Sequence, residues 1–376
     1  MKKNLISILL FALVFVSCRT DDEYVIPSQK VEVDLGEGSF FLLNEGGWGH
    51  NKCTLDYYDA LTGTYVRNIF AEANPGVVNE LGDVGNDLQI YDGKLWAVIN
   101  NSHLVEVMDV ATAKHVAQLS IPNCRYITFL DRYAYVTSYA GPAQVDPNAQ
   151  LGYVARIDID RMQIVDTCIV GYQPDDMIIC DNYLYVANSG GYRSDYDNTI
   201  SVINLATFSV VDTIEVAFNL YRLEKDSRGY IWASSRGDYY GQNSKTYIID
   251  PRVNMVCDSL DIPNSGMAIA GDSLYVYSAE WNYVTNESTN TYYLVNTLTR
   301  EVAAHHFISD GAEQQIHSPY GIAVNPNTRD VYIADAVDYV NPGRLYCFSA
   351  EGVKKGEVRT GDFPAHFAFT TVPLSY

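Results

Sequence analysis

Positive charge is scarce in this sequence. Its 25 lysines and arginines stand against 46 aspartates and glutamates, giving a formal charge of −21. Such an acidic surface repels nucleic-acid phosphates and anionic lipid headgroups, so neither is an expected partner. Histidine is sparse as well: seven residues, of which only His305 and His306 adjoin, so a histidine-rich metal site has little support. There is no HExxH, no GxSxG elbow, no phosphate-binding GxxxxGK[ST] and no GxGxxG. That removes the usual helical zinc site, the α/β-hydrolase nucleophile and both common nucleotide cradles. EF-hand spacing is missing too, so the Asp-rich loops could hold calcium only opportunistically. His317 and His366 are the histidines placed to act as a base, but a lone loop histidine is generally a surface residue. No enzyme is indicated.

Long apolar runs are also lacking. The longest, Leu5 to Val16, is too short to span a bilayer, follows Lys2 and Lys3, and ends at Ser17-Cys18. This is the pattern of a secretory signal peptide with a lipoprotein cleavage site, although Phe15 stands where Leu or Val is usual. Cleavage would leave Cys18 to take the lipid, hold the chain on a membrane, and bring the charge to −23 with the loss of two lysines. Behind it, Asp21-Asp22-Glu23 resembles the surface-export signal of Bacteroidota lipoproteins. The expected division is a signal over residues 1–17, a lipid-anchored linker over 18–38 and one domain over 39–376. Cys53, Cys124, Cys168, Cys180, Cys257 and Cys347 form no CxxC, and their strand-like neighbours predict buried free thiols. An exported protein could pair some of them, but spacing does not say which.

What the chain has in abundance is one repeated pattern. FFLLNEG (40–46), KLWAVIN (94–100), YAYVTSY (133–139), YLYVANS (183–189), YIWASSR (230–236), SLYVYSA (273–279) and DVYIADA (330–336) are β-branched and aromatic runs entering loops. From the second onward they start roughly 40 to 57 residues apart, the period of a four-stranded propeller blade. Turn signals such as Asp92-Gly93 precede them, and strand–turn–strand patterns such as LVEVMDVATAKHV follow. The first run lacks a preceding strand, whereas the C-terminal FPAHFAF (363–369) has that pattern and nothing after it. The expected fold is therefore all-β: a seven-bladed β-propeller whose ring is closed by the C-terminal strand joining the first blade.

In such a ring, connections alternate between two faces. The long ones (46–52, 70–84, 140–152, 189–198, 235–244, 279–290, 309–318 and 335–343) all fall on one face, where binding is expected. They carry Trp48, Tyr139, Tyr192, Tyr239, Tyr240, Trp281 and Tyr339, together with Arg236. Thirty tyrosines exceed what a core needs, and an amphipathic ring suits ligand contact. Aligning the innermost strands places Asp87, Tyr126, Asp176, Arg222, Gly266, Gly321 and His366 in one row. Asn86, Arg125, Asp175, Tyr221, Ser265, Tyr320 and Ala365 form the row before it. Both rows should ring the channel mouth, and the two glycines suggest that it is open and polar. The candidate ligand-binding set is Trp48, Asp87, Arg125, Tyr139, Asp176, Tyr192, Arg222, Arg236, Tyr239, Tyr240, Trp281, Tyr320, Tyr339 and His366. An Asp176–Arg222 pair that merely stabilises the ring is the competing explanation.

The repeats over residues 40–370 resemble the YncE-like, surface-layer-type seven-bladed propellers. FFLLNEGGWG (40–49), the NPG…LGDVGNDL run (74–88) and the lipoprotein signal are similar to the BtuG-type cobalamin-binding surface lipoproteins of Bacteroidota. The resemblance implies a non-catalytic receptor, lipid-anchored at the outer-membrane surface. It would capture cobalamin or a related corrinoid and pass it to a BtuB-type TonB-dependent transporter. The sequence lacks DxHxxG, so capture with the nucleotide base still on cobalt is expected. A glycan-binding lipoprotein of a polysaccharide-uptake system is the alternative, with a propeller lyase behind it.

Overall fold

The computed structural model describes residues 29–77, 81–146, 148–238, 243–282 and 287–375, with the backbone alone over 280–282 and 287–288. The signal peptide, Cys18, Tyr239 and Tyr240 lie outside the described residues, and of Trp281 only the backbone is described.

Seven antiparallel sheets form the ring of a seven-bladed β-propeller. Numbered from the blade that contains the first repeat, blade 2 shows the plan: Gly85–Tyr91 innermost, then Lys94–Ile99, Leu104–Asp109 and His115–Ser120 outermost. Its first hairpin turns on Asp92 and Gly93, both at positive φ (48° and 68°), the two-residue turn whose twist matches the flanking strands. Blades 3 to 7 begin at the innermost strands Cys124–Leu130, Pro174–Cys180, Leu220–Lys225, Gly266–Ala270 and Pro319–Val324.

Blade 1 is built from both ends of the domain. Pro364–Thr370 is its innermost strand and pairs antiparallel with Ser39–Asn44, followed by Thr54–Asp59 and Thr64–Val66. The closure expected for residues 363–369 is therefore present. Its seam is aromatic: Phe40 is fully buried, with ring centroids 5.0 Å from Tyr332, 5.9 Å from Phe367 and 5.8 Å from Phe369. One departure from expectation lies in the segment read as linker. Lys30–Glu32 pairs with Thr64–Val66 as a fifth strand, covering an edge that would otherwise present unpaired backbone groups.

A second departure lies in the segment 279–290, read as a loop. Ser273–Asn282 and Glu287–Asn296 continue pairing out to Asn282↔Glu287, so blade 6 extends as a long hairpin. Trp281 and Thr289, residue types that favour strands, lie within the extension. A third concerns the thiols. Cys53, Cys124, Cys168, Cys180 and Cys347 are buried and in no disulfide, as expected, whereas Cys257 is exposed. It sits on the outermost strand of blade 5, Met255–Leu260, where no further layer covers the sheet. Burial pushes the Cys124 and Cys347 thiols up to about 12, so both stay protonated.

Replacing Phe40 with Ala should cost about 3–5 kcal/mol, because the seam cannot collapse around the lost ring. Leu61→Ala, at a position 86 % exposed, should change stability by under about 0.5 kcal/mol. Denaturant midpoints of the two variants check both values, and equal effects would remove the seam from the account.

Candidate functional site

The channel mouth is shaped by a repeated irregularity. In six of the seven blades the innermost strand carries a register shift at its loop-face end, for example between Gly85 and Asp87 and between Leu220 and Leu223. A bulge leaves a residue unpaired, twists the strand and re-aims its side chains. The freed backbone groups find side-chain partners. The Tyr126 N–H donates to Thr137 Oγ1 (3.0 Å) and the Arg222 N–H to Ser234 Oγ (3.0 Å).

Two of the expected ligand contacts, Asp87 and Asp176, serve the same architecture. Asp87 Oδ2 accepts from the Ile127 N–H of the next blade at 3.0 Å. Asp176 Oδ2 accepts from Leu223 N–H of its own next blade at 3.1 Å, with Arg222 Nε 3.6 Å away. Both carboxylates stitch neighbouring innermost strands together, as the competing explanation for the Asp176–Arg222 pair supposes.

Above them the structure assembles four of the candidate residues around one outside the set. Asp175 is fully buried and accepts from Arg125 Nε (3.0 Å) and from the Tyr139 hydroxyl (2.7 Å). Arg236 Nη1 lies 3.7 Å from its other oxygen. Arg125 also donates to Asn86 Oδ1 (2.8 Å) and lies over the Tyr139 ring, 4.8 Å from its centroid. Arg236 covers Tyr221 at 3.5 Å, a distance at which cation–π attraction contributes. Tyr192 joins through Tyr139, with ring centroids 6.3 Å apart.

Four others, Trp48, Tyr320, Tyr339 and His366, lie on blades 7 and 1. Glu45 holds His366 Nε2 at 3.0 Å through one oxygen and accepts from the Tyr320 hydroxyl at 2.6 Å through the other. Tyr339 and Phe363 pack against Tyr320. Trp48 is 56 % exposed, on the loop that follows Glu45. His317, the other histidine considered as a base, is exposed, with Nδ1 3.9 Å from Asp335 Oδ2.

The expectation that Gly266 and Gly321 leave a gap at the mouth is corrected. A Cβ on Gly266 would collide with the Tyr277 ring, and one on Gly321 with the Ala365 backbone. These glycines admit close neighbours instead of leaving a gap. The Tyr277 hydroxyl donates to the Tyr320 carbonyl at 2.6 Å, and both residues line a space of about 30 Å³ together with Tyr221, Arg222 and His366. Deeper in the channel lies a second space of about 380 Å³, polar at Asp87, Gln89, Arg222 and Glu224 and apolar towards Ile90, Val324 and Phe369.

Residue-by-residue reading missed Glu45 and Asp175 as organisers, although Asp175 stood in the aligned row and Glu45 in the FFLLNEG repeat. Neither position distinguishes a carboxylate that collects partners from one that faces water. Burial pushes Asp176 up to about 6 and Glu224 up to about 7, against the pull of Arg222.

A carboxyl raised on folding binds more protons folded than unfolded, so its contribution to stability is present below about 4.5, its ordinary value, and is lost as pH rises through about 7. Glu224→Gln should therefore be neutral at pH 4.5 or below and raise stability at pH 8. Denaturant midpoints at both pH values measure this, and a variant with an unaltered pH slope would contradict it.

No protein of curated function matches this chain in sequence. Solved propellers match in fold. Hydrazine synthase of Kuenenia stuttgartiensis is 18% identical over 71% of this chain and 77% of its own, with a TM-score of 0.58. A quinonprotein alcohol dehydrogenase-like protein from Bacteroides thetaiotaomicron is 13% identical over 89% of this chain and 78% of its own (TM-score 0.59). Apo AztD from Citrobacter koseri is 12% identical over 89% of this chain and 98% of its own (TM-score 0.52). At these identities the likeness shows a shared fold and nothing finer. Residues 38–370 match the model of a domain of unknown function, DUF5074, and the chain belongs to that family.

Proposed function

We propose that this protein is a non-catalytic receptor, lipid-anchored through Cys18 at the outer-membrane surface, whose loop face captures a corrinoid such as cobalamin. It would release the ligand to a TonB-dependent transporter of the BtuB type. The observation that carries the reading is the convergence, on one face, of Arg125, Arg236 and Tyr139 around Asp175, opposite the aromatic group of Tyr320, Tyr339 and Phe363. A rigid polar floor with aromatic and arginine anchors suits a large, flat ligand edged with amides.

The path of the N-terminal segment supports the orientation. Lys30 pairs with Val66, Glu32 pairs with Thr64, and the Gln29 carbonyl accepts from Arg67 N–H at 3.1 Å, so the chain enters blade 1 from the loop-face side. The eleven Cα-to-Cα steps from Cys18 to Gln29 can extend roughly 36–40 Å. An anchor of that reach would allow the loop face to turn towards the membrane and a transporter within it.

The exposed rings of Trp48 and Tyr339 favour one rival, a glycan receptor, since such platforms also stack on sugars. Passing the purified protein with cyanocobalamin through a desalting column separates the two. Red colour should co-elute, the spectrum should remain that of a base-on corrinoid, and Arg236→Ala should weaken binding by more than about tenfold. Absence of colour, with retention on a glycan gel, would replace the corrinoid with a sugar. A histidine-ligated spectrum would contradict base-on capture.

A further inference from the structure

Among the described residues, two buried hydrogen-bond donors at the channel mouth have no acceptor. Tyr126 is 1 % exposed, and its hydroxyl has no partner among the described residues; the same holds for Arg222 Nη1. Leaving such groups buried and unpaired costs stability, so they mark a place where an acceptor is missing. The Tyr126 ring reaches over the channel axis from blade 3. Arg222 lies 4.9 Å above it, Tyr221 at 6.3 Å and His366 at 6.5 Å, from blades 5 and 1. Those three side chains also line the 30 Å³ space. That volume holds a water or two, or a single carbonyl group.

Local charge decides which acceptor fits. Arg125, Arg222 and Arg236 are already offset by Asp87, Asp175 and Asp176, so a further anion gains little. A neutral oxygen gains the donors without a charge to desolvate.

We propose that Tyr126 and Arg222 form a subsite at the axis for the carbonyl oxygen of a ligand carboxamide or acetamido group. This deepens the receptor reading and rests on it for the rest of the ligand. Such a group could come from the amide rim of a corrinoid or from an N-acetylated sugar, and the test distinguishes the two.

The full chain, its Tyr126→Phe variant and its Arg222→Gln variant are titrated with cyanocobalamin, N,N′-diacetylchitobiose and cellobiose. Thermal unfolding is followed without ligand. Tyr126→Phe should melt at or above the parent temperature, because its hydroxyl has no partner to lose, yet bind the amide-bearing ligand about tenfold more weakly. A marked loss of ligand-free stability in Tyr126→Phe would assign the hydroxyl a structural role and overturn the subsite. Cyanocobalamin binding that is equal in parent and Tyr126→Phe would also overturn it, leaving the receptor reading intact. Binding of diacetylchitobiose alone, weakened in the variant, would support the subsite and reject the corrinoid. Equal binding of cellobiose and diacetylchitobiose, or no binding of any of the three, would reject both.

Discussion

The pairing of Pro364–Thr370 with Ser39–Asn44 is the constraint on which the rest of the structure depends. A single blade cannot bury its two faces alone, and an open row of blades would expose flat sheet at both ends. Closing the row with the last strand covers both end faces at once, and Phe40 seals the junction against Tyr332, Phe367 and Phe369. The same pairing has a consequence at the loop face. It sets His366 beside Glu45, residues separated by most of the chain, and so completes one side of the candidate site.

The site follows from how the ring handles its innermost strands. Bulges at the loop-face end free backbone groups and turn side chains towards the axis. Some of those side chains then satisfy the freed groups of the next blade, as Asp87 and Asp176 do. The remainder, Arg125, Arg222, Tyr126 and Tyr221, form the floor. Side chains that tie neighbouring blades together and side chains that line the mouth therefore alternate around the ring, and Asp175 draws two guanidiniums and a phenol onto one carboxylate. A buried charge cluster of this kind is a weak source of net stability, but it fixes the positions of its members. The proposed receptor floor needs that rigidity.

Much of this was legible in the sequence. Blade count, ring closure and the face bearing long loops follow from a repeat period and from the alternation of connections, which depend only on β-geometry. The fifth strand at Lys30–Glu32 was not legible, because three exposed residues carry no alternation that distinguishes a strand from a linker. The long hairpin of blade 6 was missed for the opposite reason: a run of Asn, Thr, Glu and Ser reads as loop while a ladder can still pair it. Gly266 and Gly321 were read as space, whereas their role is to admit Tyr277 and the backbone of the neighbouring strand. That distinction depends on what lies across the gap, which the local sequence does not hold. Glu45 and Asp175 share the limitation, since a carboxylate becomes an organiser only through partners brought from other blades.

The central claim is that one face, around the mouth, receives the ligand. Hydrogen exchange across the backbone, with and without saturating cyanocobalamin, tests it most directly. The account predicts new protection in residues 46–52, 139–152, 189–198 and 336–343, and none in the outer turn 111–114 on the opposite face. Protection centred on that turn and its counterparts in the other blades would contradict it.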